Sequence, residues 1–148
     1  MFKESIKMSG NINLHLTDED GNLKVNGTYP NLVVFSGKSY IANRMTSNSS
    51  AIMSHLAVGT NTVAAANTDI ILNAEISRVA LTSATVSSNT ITYVTTFNPG
   101  SGTGAITEAG IFNSATANGG TMLCRTVFPV VNKESGDTLT ITWNVTAS

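Results

Sequence analysis

Thr138-Leu139-Thr140-Ile141-Thr142-Trp143-Asn144-Val145-Thr146 alternates over nine residues without a fault. In an extended chain, successive side chains point to opposite sides, so Leu139, Ile141, Trp143 and Val145 share one face and Thr and Asn fill the other. A helix would scatter the same four apolar residues around its circumference. The segment therefore predicts a β-strand with one buried face and one uncharged outer face. Thr90–Phe97 reads the same way, with Ile91, Tyr93 and Phe97 on one side and Thr92 and Thr96 on the other. Glu75–Leu81 alternates less regularly, with Ile76, Val79 and Leu81 as anchors, and a kink or bulge is expected between them. Ala105–Phe112 and Met122–Phe128 complete the second half. The separators are turn-rich: Asn98–Gly104, Asn118-Gly119-Gly120 and Lys133–Asp137.

Towards the N-terminus, Ile6 and Met8, then Ile12, Leu14 and Leu16, keep period two. Asp18-Glu19-Asp20-Gly21-Asn22 follows as a turn, with Leu23 and Val25 on a returning strand, which predicts a hairpin. Leu32–Phe35 reads as a strand, and Ser36 as the N-cap of a helix over Lys38–Met45. Ile52–Val58 reads as another strand, ended by Gly59, and Asn61–Asn67 as a loop. Seven to nine strands at this spacing predict a mostly β, single-domain β-sandwich or jelly-roll-like fold with one short helix near residues 37–45. No internal repeat points to a propeller or solenoid. Lower apolar density before Pro30 predicts an N-terminal arm or hairpin over residues 1–30, with the sandwich domain over 31–148.

Of the 148 residues, 41% are apolar, which excludes a disordered tail. Only 11% are charged, less than half the usual fraction of about 25%. Thr, Ser and Asn supply the polarity instead, with 53 residues between them. Eight basic against nine acidic residues argue against a nucleic-acid-binding surface. No run of about 18 apolar residues suggests a membrane span, and the opening Met1-Phe2-Lys3-Glu4-Ser5 lacks the apolar core of a secretion signal. The single Cys124 allows no internal disulfide.

No constellation of residues carries a chemistry, and the expectation is no catalytic, cofactor or metal site. Ser36-Gly37-Lys38-Ser39 sits where a phosphate loop would, but the first glycine that such a loop needs is Leu32. An EF-hand starting at Asp18 would need Gly and a carboxylate where Leu23 and Tyr29 stand; a solvated hairpin turn is the better reading. His15, His55 and Cys124 are too few and too scattered for zinc, with His15 on a polar strand face and Cys124 read as a small buried hydrophobe. Glu75 and Glu108 are the candidate acid–base pair of a glycosidase, against which stands an edge ion pair between Glu75 and Arg78. Asn26, Asn48 and Asn144 begin Asn-x-Ser/Thr triplets that composition alone explains.

Several stretches together resemble a known group of proteins. They are Asn31–Val34, Met53–Thr60, Ile106–Asn113, Thr121–Phe128 and Gly136–Trp143. In this order they resemble small structural proteins of tailed bacteriophages, of the decoration (cement) or tail-fibre type, over roughly residues 30–146. The resemblance implies a non-enzymatic virion protein that assembles symmetrically, most often as a homotrimer, with the major capsid protein or other virion proteins as partner and neither nucleic acid nor membrane. A decoration protein would grip the shell through its N-terminal arm, and many small contacts would add by multivalency. The alternative, a tail-fibre or receptor-binding component, would present Asn98–Gly104 and Ala115–Gly120 to host glycans. Heptads and collagen-like repeats, which would build a fibre shaft, are absent, and aromatic residues, which would stack on sugars, make up only 6%. Both favour the capsid role.

Overall fold

A computed structural model describes residues 3–46 and 49–148. Within them the chain runs β1 (Met8–Thr17), β2 (Leu23–Pro30), β3 (Leu32–Val33), α1 (Phe35–Arg44), β4 (His55–Gly59), β5 (Glu75–Ala80), β6 (Ser83–Ser87), β7 (Thr90–Phe97), β8 (Gly104–Phe112), β9 (Met122–Lys133) and β10 (Thr138–Ala147). These strands form two five-stranded antiparallel sheets, β2-β1-β10-β7-β6 and β3-β9-β8-β4-β5. The mostly β sandwich expected from the alternation is the observed fold. No helix among the described residues is long and apolar enough to cross a membrane.

β10 lies in the middle of the first sheet, with Trp143 opposite Ile12 of β1 and Tyr93 of β7. Its four apolar side chains are buried against Leu56, Val58, Ile106, Ile111 and Phe128 from the second sheet. Burying a side chain of that size contributes about 1.5–3 kcal/mol, so the inner faces dominate the stability. Helix α1 closes one side, with Tyr40 and Ile41 packed on the same core.

Of the arm or hairpin expected over residues 1–30, residues 8–30 form a hairpin built into the first sheet rather than a free arm. β1 pairs with β10 along ten residues, and Ile12, Leu14 and Leu16 are fully buried in the core. Averaged over residues 1–30, apolar content is low. What places β1 inside is that its apolar residues all fall on one face. The hairpin β1–β2 is therefore part of the sandwich, and among the described residues Lys3–Lys7 precede its first strand.

Three local expectations also shift. α1 begins at Phe35, and its N-cap is Val34 in extended conformation, without a side-chain cap bond. Ser36 is already inside the helix, and its hydroxyl donates to the Met122 carbonyl at 2.9 Å, tying α1 to β9. β4 starts at His55 rather than Ile52, which is 64% exposed. β9 continues past Phe128 through Pro129 to Lys133. Its neighbour β3 pairs only with Cys124 and Arg125, so beyond them one side of β9 has no strand partner, and a proline without an N–H is tolerated.

Candidate assembly surface

The two candidate acids are placed first by their partners. Glu108, on the outer side of the second sheet, is fully buried and so is Arg125 on the adjacent β9. Arg125 donates to Glu108 Oε2 through Nε (3.1 Å) and Nη2 (2.8 Å). Its Nη1 donates to Asp69 Oδ2 (2.9 Å), and Nη2 also reaches the Val63 carbonyl (3.0 Å). Glu108 Oε1 accepts the N–H groups of Ala74 (2.9 Å) and Asn61 (3.3 Å). The pair thus pins residues 60–74, a connection without regular structure, over the sheet. Both oxygens are occupied, and a carboxylate so enclosed has no route to a substrate.

Glu75 forms the ion pair with Arg78 at the edge strand β5. Arg78 Nη2 and Nε lie 2.7 and 3.1 Å from the two Glu75 oxygens. The guanidinium rests 3.8 Å from the Phe112 ring centre and donates through Nη1 to the carbonyls of Ser114 and Gly119. A guanidinium placed over an aromatic ring and held in a bidentate fork is an arrangement that arginine favours. It anchors the loop Ala115–Gly120. Glu75 and Glu108 are each committed to a different loop by a different arginine.

The remaining motifs resolve the same way. Asp18 Oδ1 accepts the N–H groups of Asp20 (3.0 Å) and Asn22 (2.8 Å), and Oδ2 the Asn22 side-chain amide (3.1 Å). These bonds, led by the Asn22 N–H, hold its carboxyl below the usual range and build a hairpin turn. An open cleft of about 1,020 Å³ lies beside it, lined by Asp18, Glu19, Asp20, Lys133, Glu134 and Asp137. There Lys24 donates to Asp137 at 2.6 Å and to Glu134 at 3.4 Å. The Lys24 ammonium, then the Glu134 N–H, lower the Asp137 carboxyl. Cys124 is buried, and loss of solvation pushes its thiol up; His15 points outward from the other sheet, and His55 Nδ1 lies 2.8 Å from the Ser54 hydroxyl, so among the described residues neither histidine is hydrogen-bonded to the thiol. Gly37 faces the Leu123 backbone, so the glycine of the phosphate-loop look-alike serves close packing of α1 on β9. Asn26 lies exposed on edge strand β2 and Asn144 half-buried on β10; Asn48 lies outside the described residues.

What is left is a surface. The outward positions of β10, β7 and β6 carry no charged side chain; they are Thr, Ser and Asn with one Val94. Many of these groups already bond to each other across strands. Thr90 and Thr146 hydroxyls are 2.8 Å apart, Thr92 donates to Asn144 Oδ1 at 2.7 Å, and Thr96 and Thr140 are 3.3 Å apart. A hydroxyl with a partner within its own sheet costs far less to remove from water than an ammonium or carboxylate. The charges have gone elsewhere. Asp69, Glu75, Arg78, Glu108 and Arg125 serve the outer side of the second sheet, and Asp18, Glu19, Asp20, Lys24, Lys133, Glu134 and Asp137 gather around the cleft. The β10, β7 and β6 part of the first sheet presents a neutral, cheaply desolvated face.

Two elements of this picture escape the sequence reading. Arg125 was signalled only by its position, an arginine inside the apolar run Met122–Phe128 with no neighbouring acid in sequence. β6 gave no signal, since Ser83-Ala84-Thr85-Val86-Ser87 has no apolar stripe to bury. No protein-family model, curated protein or solved structure matches the chain. The functional reading therefore rests on the residues and their geometry.

Proposed function

We propose that the chain is a non-enzymatic structural subunit of a tailed-bacteriophage virion, a capsid decoration protein that binds the major capsid protein and stabilises the shell. The observation that carries this reading is the neutral outer face of β10, β7 and β6, several of whose polar groups are paired across strands. Such a face can be covered by a neighbouring protein without stranding charge. The commitment of Glu75 and Glu108 to loop anchoring supports a non-enzymatic role. Gripping of the shell by a free N-terminal arm is not part of this proposal, because Ile12, Leu14 and Leu16 are buried in the core.

Immunogold labelling of intact particles tests the location: label over the shell is expected, and label confined to the tail would favour the receptor-binding alternative. The loops that alternative would use, Asn98–Gly104 and Ala115–Gly120, contain no aromatic ring and no charge. Thr142→Lys tests the surface. It adds one charge at the centre of the neutral face, and capsid occupancy should fall while the melting curve stays within about 1 kcal/mol of the parent. Full occupancy by Thr142→Lys would overturn the assignment of this face.

A further inference from the structure

We propose that β6 pairs two-fold with β6 of a second copy, joining two first sheets into one continuous ten-stranded sheet. This inference does not depend on the virion reading, and a two-fold pair departs from the homotrimer that the resemblance implies.

A free sheet edge offers unpaired N–H and C=O groups to any other strand, and proteins normally protect it with charge, proline, shortness or a cover. Among the described residues three of the four edge strands are protected, and the stretch of β9 left unpaired beyond β3 carries Pro129. β2 carries Lys24 and ends in Pro30, β3 has two residues and runs straight into α1, and β5 bears the Glu75–Arg78 pair. β6 has none of these devices. Its five residues are all exposed, and among the described residues the only strand beside it is β7. The 29 residues from Val79 to Thr107 contain no Asp, Glu, Lys, Arg or His.

The strand is also self-complementary. With the axis through Thr85, an antiparallel pairing sets Ser83 opposite the partner's Ser87, Ala84 opposite the partner's Val86, and Thr85 opposite the partner's Thr85. No pair brings like charges together or leaves a large side chain facing a polar one. Ser83, Thr85 and Ser87 lie on the face of β7 that carries Val94, Thr92 and Thr90, so the junction extends the hydroxyl surface. On the other side, Ala84 and Val86 line an apolar groove of about 590 Å³ with Ile6, Met8, Ile52 and Ile91. Val86 is 73% exposed and Ile52 64%. The partner's Ala84 and the partner's Val86 would cover the mouth of that groove. An isologous contact of this kind closes after two copies and cannot propagate from the same edge.

Sedimentation equilibrium of the full chain reads the assembly directly: two chain masses are expected. Thr85→Lys places two ammonium groups on the axis and should weaken self-association roughly tenfold, with circular dichroism unchanged because the site is an exposed edge. Thr142→Lys, with the same charge on the middle strand, should keep the dimer. Thr85→Cys provides an independent readout. Residues directly opposite in an antiparallel pair have Cβ atoms about 4.5–5.5 Å apart, so mild oxidation should give a disulfide-linked dimer, to which buried Cys124 does not contribute. A wild-type chain of one mass at millimolar concentration, a trimer, or a dimer that survives Thr85→Lys and fails to cross-link at Thr85→Cys would each overturn the proposal.

Discussion

Replacing Arg125 by Met isolates what the buried charge pair does. The side chain is fully buried, fills similar space as Met, and makes four polar contacts, to Glu108 twice, to Asp69 and to the Val63 carbonyl. Removing it leaves the Glu108 carboxylate in the interior with only the Ala74 and Asn61 N–H groups for support. Breaking one side of such a pair costs about 3–5 kcal/mol, a large part of the roughly 5–15 kcal/mol that holds a domain folded. Asp69 adds little to the loss, since its side chain is 17% exposed and can turn to water. Trp143, the only tryptophan and fully buried, reports unfolding by fluorescence in urea. With a slope near 2 kcal/mol per molar, the midpoint should fall by about 1.5–2.5 M. The double variant Arg125→Met/Glu108→Leu removes both charges together, and its cost should fall below the sum of the singles by roughly 1–3 kcal/mol. It still leaves the Ala74 N–H and Val63 carbonyl without partners, so it should not recover the parent. Hydrogen exchange should localise the effect of the single change to residues 60–74. A midpoint unmoved by Arg125→Met, or a strictly additive double variant, would refute the reasoning.

Two further outcomes follow from the same physical picture. Gly37→Ala should destabilise the chain even though alanine is the better helix former by about 1 kcal/mol. The added Cβ would run into the Leu123 backbone, so α1 must lift off β9; a thermal midpoint at or above the parent's would contradict this. Asp137 titrates below its usual value when folded, chiefly through the Lys24 hydrogen bond. Its contribution is therefore fully present above the unfolded carboxylate value and is lost as pH falls through the lower folded value. The gap in urea midpoint between the parent and Asp137→Asn should be widest near neutrality and shrink below about pH 4. A gap that stays constant down to pH 2 would sink the assignment.

The fold was legible where its cause is local. Leu139, Ile141, Trp143 and Val145 decide the face of their own strand by spacing alone, and the same holds for Ile12, Leu14 and Leu16; averaging over residues 1–30 obscured only that this second strand joins the core. Elements whose cause is non-local could not be read. β6 is a strand because β7 lies beside it, not because Ser83–Ser87 has anything to bury. Ser36 looks like a cap in isolation, but it docks on Met122, 86 residues away. The Glu108–Arg125 pair depends on how β8 and β9 align across a register shift between Ile106 and Glu108, and no motif spacing encodes that. The shortage of charge was visible as a number, but its meaning was not. A charge-poor chain could spread its few ions evenly over the surface for solubility. This one places many of them in loop anchors and around one cleft, so the hydroxyl face of the first sheet and the bare edge at β6 are neutral together. Two neutral surfaces that meet along one strand need no separate explanations, because covering either by another protein costs little in desolvation and gains backbone or apolar contact in return.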